Sequence, residues 1–167
     1  MESPLRRAHV GRLVDVPGEA TGGVAFNMKI PVPFSKHGNG YTVTRIRSVC
    51  FDYIEQIGAN QQLGTWCGVL HFTEWVGAMT WAILVAHRGD GDVVFHKLGS
   101  FLSDPLNATF VFPGGGYICC RPYILASFAN IEGTAGREFY TGCTIYYQTM
   151  EVGQVEFEKL STGQFIG

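Results

Sequence analysis

Five histidines, five cysteines and fourteen carboxylates are the residues of this chain able to bind metal, move protons or attack a substrate. The histidines are His9, His37, His71, His87 and His96. The ligand set of cupin metal centres, a His-x-His pair with a Glu several residues on, is absent. His71 and Glu74 stand at i and i+3, which on a strand sends them to opposite faces. His87 and His96 flank the turn sequence Arg88–Gly91 and can approach each other across it, but two imidazoles without a third ligand are a weak site. Neither a metal centre nor a cofactor is expected. No Gly-x-Ser-x-Gly occurs, and Ser35, Ser48, Ser100 and Ser127 lack a nucleophile's surroundings. Pro113–Gly116 is glycine-rich but opens a strand, so it has no helix N-terminus to hold phosphate and reads as a reversal. The cysteines Cys50, Cys67, Cys119, Cys120 and Cys143 are odd in number, contain no Cys-x-x-Cys and fall in strand-like runs. They are read as buried thiols made in a reducing compartment, with the neighbours Cys119 and Cys120 facing opposite ways.

Arginine offers a different chemistry. Arg45 and Arg47 are two apart in a long β run, so both project from one face, where guanidinium groups suit phosphate. The competing reading is an ion pair with Asp52, Glu55 or a cross-strand acid. Residues 1–12 hold Arg6, Arg7 and Arg12 against Glu2, a net of +2; residues 13–167 hold nine Lys/Arg against thirteen Asp/Glu, a net of −4. Arg6, Arg7, Arg12, Arg45 and Arg47 are therefore the candidate nucleic-acid contacts in a chain that is otherwise weakly acidic.

The elements that must carry these residues follow one another as about eight apolar, β-rich runs between Gly23 and Val152, each closed by Gly, Pro, Asn or Asp. They cover Val24–Ile30, Tyr41–Ile57, Cys67–Glu74, Ala78–His87, Asp92–Gly99, Asn107–Phe112, Tyr117–Asn130 and Arg137–Val152. Pro122 suits a break, an edge or a bulge in the seventh. Met1–Gly22 reads as an irregular N-terminal arm and residues 153–167 as a tail, with short helical turns expected only near Glu55–Asn60 or Leu98–Asp104. No spacing suits β-α-β units, so the expected fold is all-β: one eight-stranded antiparallel jelly-roll sandwich of two four-stranded sheets over residues 23–152. In the last run Phe139, Thr141, Cys143, Ile145 and Tyr147 face one way. Tyr140, Gly142, Thr144, Tyr146, Gln148 and Met150 face the other, so both faces are expected to be covered.

Charged residues are only 16% of the chain against the roughly 25% usual in soluble domains, while aromatics reach 13%. Such a surface suits burial in an oligomer. Met1–Gly18 lacks a secretory apolar core, Val76–Ala86 is too short to span a bilayer, and the Asn107–Thr109 sequon is expected to be incidental.

The segment Thr144–Phe157 (TIYYQTMEVGQVEF) resembles the closing strand of capsid proteins of small circular Rep-encoding single-stranded DNA viruses, in which an aromatic-rich strand runs into a tail ending Glu-Tyr or Glu-Phe. Tyr41–Tyr53, after a glycine-rich turn, is similar to their early long strand. Those capsids begin with an Arg/Lys-rich arm; here only Arg6, Arg7 and Arg12 stand in its place. Single-jelly-roll capsid proteins of membrane-containing double-stranded DNA viruses, which need no such arm, are a close variant. The resemblance implies a structural protein, not an enzyme, that assembles with itself into an icosahedral shell. The shell encloses viral DNA, has no small-molecule substrate and belongs to a virion made in the host cytoplasm or nucleus. The alternative is a jelly-roll binding module, either carbohydrate-binding or a TNF/C1q-like trimer, with Trp66, Trp75, Trp81 and the seven tyrosines as a sugar-stacking platform. The apolar surroundings of the three tryptophans point instead to the core.

Overall fold

The computed structural model describes residues 2–15, 24–55, 65–74, 80–87, 90–100, 109–131 and 138–162. Its strands are β1 (Arg6–Asp15), β2 (Val24–Pro31), β3 (Ser35–His37), β4 (Gly40–Glu55) and β5 (Thr65–His71), then β6 (Val93–Ser100), β7 (Thr109–Val111), β8 (Tyr117–Cys119), β9 (Tyr123–Ile131) and β10 (Glu138–Gly153). Two short helices, α1 (Trp81–His87) and α2 (Gln154–Leu160), complete it. Every strand pairing is antiparallel.

One sheet runs β1-β10-β4, and the far side of β4 is lined end to end by β3, β8 and β7. The other runs β2-β9-β5-β6. With β7 and β8 taken as one interrupted strand and β3 as a hairpin extension, this is a jelly-roll sandwich of two four-stranded sheets. The strand total matches expectation, but its membership differs. The arm read as irregular supplies β1, paired along its length with β10. Among its described side chains the apolar ones facing inward are the small Ala8 and Val10, too few to make a period of two conspicuous. The run Ala78–His87, read as a strand, supplies α1 instead. An apolar run of Ala, Ile, Leu and Val fits either element; the helix start is marked by Thr80, whose hydroxyl accepts the Ile83 N–H at 3.2 Å. Trp81, Leu84 and Val85 then face the sheet. Of the segments where helical turns were expected, residues 56–60 and 101–104 lie outside the described residues, whereas Glu55 ends β4 and Leu98–Ser100 ends β6. The segment read as a tail contributes α2.

Pro122 acts as anticipated, and more sharply. Tyr117–Cys119 belongs to the first sheet and Tyr123–Ile131 to the second, so the chain changes sheets at residues 120–122. Cys119 accordingly enters the central core and Cys120 a separate cluster. Pro113–Gly116 does not reverse the chain. It is a tight 3-10 step joining β7 and β8, which run the same way along β4. Gly114, Gly115 and Gly116 all have positive φ there, and a Cβ at Gly116 would stand 2.5 Å from the Ile46 carbonyl oxygen.

Between the sheets the core is aromatic. Phe51 meets Phe128 edge-on at 5.6 Å and Trp66 at 5.5 Å. Trp66 is wholly buried and donates its indole N–H to the Thr141 hydroxyl across the sandwich at 3.1 Å, leaving no unsatisfied donor. Gly68, two residues on, makes room for it, because a Cβ there would stand 2.4 Å from the indole ring. Full burial of each such ring contributes about 1.5–3 kcal/mol. The outer faces are covered as well. Cys67, Val69 and Ala129 of the second sheet lie under Leu84 of α1, and Tyr41, Val43, Cys120 and Val152 of the first lie under Phe157 and Leu160 of α2. Among the described residues no helix is long and apolar enough to cross a membrane.

Candidate functional sites: an arginine pair and a buried histidine cluster

The outer face of the first sheet gathers Arg45 and Arg47, as their spacing predicts. Tyr146 pairs with Ser48 and Tyr147 with Ile46, so Arg47 is the extra residue of a β-bulge. The counter-ion is not Asp52 but Glu2, and the Glu55 side chain lies outside those described. Its carboxylate lies 2.8 Å from Arg45 and 3.0 Å from Arg47. Glu2 is placed by the segment before β1, where the Ser3 N–H donates to the Thr149 carbonyl and the Gln148 amide donates to the Ser3 carbonyl. Arg47 also donates to the Gln148 side chain at 2.6 Å and to the Gly115 carbonyl, and Arg45 reaches the Met150 sulfur. The Arg45 Nε is buried without a hydrogen-bond partner.

The other three arginines do not join this pair as one cluster. Strand alternation puts Arg7 on the same outer face and Arg6 and Arg12 on the opposite one. All three are exposed, and Arg12 lies over the Phe26 ring at 4.9 Å, bridging the open edge of the sandwich. Near Arg7, Tyr140 lies across the paired glycines Gly11 and Gly142 and meets His9 at 2.7 Å, and His9 in turn meets Thr144 at 2.7 Å.

The second site sits under α1. His71, on the outer face of β5, and His87, at the end of α1, are both buried, with ring centroids 4.9 Å apart. His71 Nδ1 faces His87 Nε2 at 3.2 Å. The Asp92 carboxylate lies 3.4 Å from His87 Nε2 and 3.9 Å from His71 Nδ1. Each member is held from behind. His71 Nε2 lies 2.6 Å from the Ser127 hydroxyl, and His87 Nδ1 lies 2.5 Å from Asp90. Asp92 accepts the Thr73 N–H at 2.9 Å and the Thr73 hydroxyl. Burial, reinforced by His87 and opposed by Asp92, pushes His71 down to about 4, so its imidazole is neutral at ordinary pH.

Sequence reasoning paired the wrong residues here. His96 is exposed on β6 and stands opposite Val69, while His87 turns to His71. Glu74 goes to the surface, to Lys29 and Tyr123. The usable signal was His87, Asp90 and Asp92 around one turn, which becomes a cluster only when α1 is a helix lying on β5. The remaining chemistry is quiet. All five cysteines are thiols, and burial pushes Cys119 up to about 12, Cys120 to about 11 and Cys143 well above its usual range. Trp66 is a core residue and Trp81 a packing residue of α1, which removes both from a stacking platform; Trp75 lies outside the described residues.

No family model and no curated protein matches the chain. Among solved structures, VP1 of Merkel cell polyomavirus, in complex with disialyllactose, superposes with a TM-score of 0.51 at 8% identity, covering 89% of this chain and 95% of that one. The two share the jelly-roll fold. The likeness is one of architecture and reaches both sheets. It does not single out the capsids of small circular single-stranded DNA viruses.

Proposed function

We propose that this chain is a capsid subunit that assembles with copies of itself into an icosahedral shell enclosing a genome. The observation that carries this reading is the jelly roll shared with a capsid protein over nearly the whole chain, in which the two edges of one sheet expose apolar side chains. Leu5 and Leu13 stand exposed at the β1 edge, and Phe110 and Val111 at the β7 edge across the sheet. Two different patches on opposite edges suit a head-to-tail contact, which closes into rings and, by rings, into shells. Electron microscopy and sedimentation of the purified protein test it. Closed particles are expected, with Leu13→Glu or Val111→Glu leaving lone subunits. Monomers alone at high concentration across several salt levels overturn it, and discrete trimers favour the binding-module alternative.

Within that shell, the exposed Arg6 and Arg7 face the nucleic acid first. Arg12 is engaged with Phe26, and Arg45 and Arg47 with Glu2, so phosphate reaches the last two only by displacing that carboxylate. Retention of nucleic acid should fall with salt by a slope of about 0.9 per phosphate contact on duplex DNA. It should drop when Arg6 and Arg7 become Ser; unchanged packaging sinks this part. The patterns at Tyr41–Tyr53 and Thr144–Phe157 support a relation to capsids of small circular Rep-encoding single-stranded DNA viruses. The five thiols support synthesis in the host cytoplasm or nucleus before incorporation into a virion.

A further inference from the structure

We propose that His71, His87 and Asp92 form a binding site for one divalent transition-metal ion of the zinc class. Three donors, His71 Nδ1, His87 Nε2 and an Asp92 carboxylate oxygen, come from three elements and lie within 4.8 Å of one another. A tetrahedral ion with bonds of about 2.0–2.1 Å sets its ligands about 3.3 Å apart. The two nitrogens are 3.2 Å apart, and each meets a different oxygen of Asp92, His87 Nε2 the Oδ1 at 3.4 Å and His71 Nδ1 the Oδ2 at 3.9 Å, so an ion fits between them once the carboxylate turns one oxygen toward both rings.

The surroundings carry the argument further. A metal-binding histidine turns its second ring nitrogen to a hydroxyl, carbonyl or carboxylate, which fixes the tautomer and the ring plane. Both histidines do so, His71 to Ser127 and His87 to Asp90, while Thr73 orients the Asp92 carboxylate through its N–H and hydroxyl. The two inward nitrogens thus face each other with their outer positions already committed. Two imidazoles and a carboxylate favour Zn²⁺, Co²⁺ or Ni²⁺ over the oxygen-seeking Mg²⁺ and Ca²⁺. The fourth position falls to water. Binding displaces any proton shared between the rings to solvent, forms three protein–metal bonds and changes no oxidation state. Its effect is to tie α1 and the turn before β6 to β5, since the donors belong to each of these.

The test uses the full-length chain freed of metal by a chelator and titrated with Co²⁺, then Zn²⁺. One equivalent of Co²⁺ should give the visible absorption of a four-coordinate nitrogen–oxygen site without the near-ultraviolet thiolate band that the cysteines would produce. Zn²⁺ should displace it and raise the thermal midpoint by roughly 5–10 °C at a hundredfold excess over Kd. Asp92→Asn and His87→Gln, checked for folding by circular dichroism, should each weaken binding at least tenfold, while His96→Gln leaves it unchanged. A thiolate band, equal binding by folded Asp92→Asn, or no saturable binding at micromolar Zn²⁺ overturns the proposal.

Discussion

The two outer faces of the sandwich are roofed by helices of the same length, seven residues each, and what lies beneath them differs. Such helices are far too short to hold themselves, so each persists through what it covers. Under α2 the contact is apolar and aromatic: Phe157 stacks on Tyr41 with centroids 3.7 Å apart, and Phe34 packs against both. Under α1 an apolar rim surrounds a polar centre in which His87, His71, Asp92 and Ser127 are mutually bonded. The α2 roof rests on area, which tolerates any side chain of similar shape. The α1 roof rests on direction, and substitution of one member leaves the others buried and unsatisfied.

The largest expected effect comes from alkali and should reach the α2 side first. Cys120, beneath α2, and Cys119 in the core stay protonated in the folded protein to about pH 11 and 12, whereas an unfolded thiol ionises near pH 9. Their raised values add stability that is complete below pH 9 and drains away as pH climbs through 11 to 12. Denaturant unfolding followed from pH 8 to 11.5 should show that decline, and hydrogen exchange should show α2 losing protection before α1. Simultaneous loss erases the distinction between the roofs. Next in size is His71→Ala, expected to cost about 3 kcal/mol because it strands Ser127 and His87 and opens a cavity; His71→Gln should recover part of this. Phe157→Ala should cost about 1–2 kcal/mol, the surface lost from a half-covered ring, and Phe157→Leu most of a kilocalorie less. If polar and apolar roofs lost equally in both conservative replacements, area alone would govern them. Smallest is Thr80→Ala, at about 1 kcal/mol, read as faster exchange in α1 with α2 unchanged.

The strands other than β1 and the short β3 were legible because Val, Ile, Tyr and Phe recur at a period of two and stop at Gly and Pro, and Pro122 announced a break. The roofs were not. Trp81–His87 is apolar enough to pass for a strand, and only the cap at Thr80 argues otherwise. Gln154–Leu160 shows its apolar face through Phe157 and Leu160 alone. The arginine pair was readable from a spacing of two along one strand. Its partner Glu2 was not, because only the sheet brings the segment before β1 alongside β10. The histidine cluster was hidden for the same reason. A search along the chain finds ligands two or three residues apart, and here a helix folded onto a strand supplies them.

The placement of β10 has a consequence for synthesis. It lies between β1 and β4, with Arg6 opposite Tyr147 on one side and Gly40 opposite Gly153 on the other. A nascent chain lacking its last strand thus has no centre to its first sheet, however much of the rest has emerged from the ribosome. Pairing across so long a stretch of sequence is slow, so the first sheet closes late in folding, once β10 has been made.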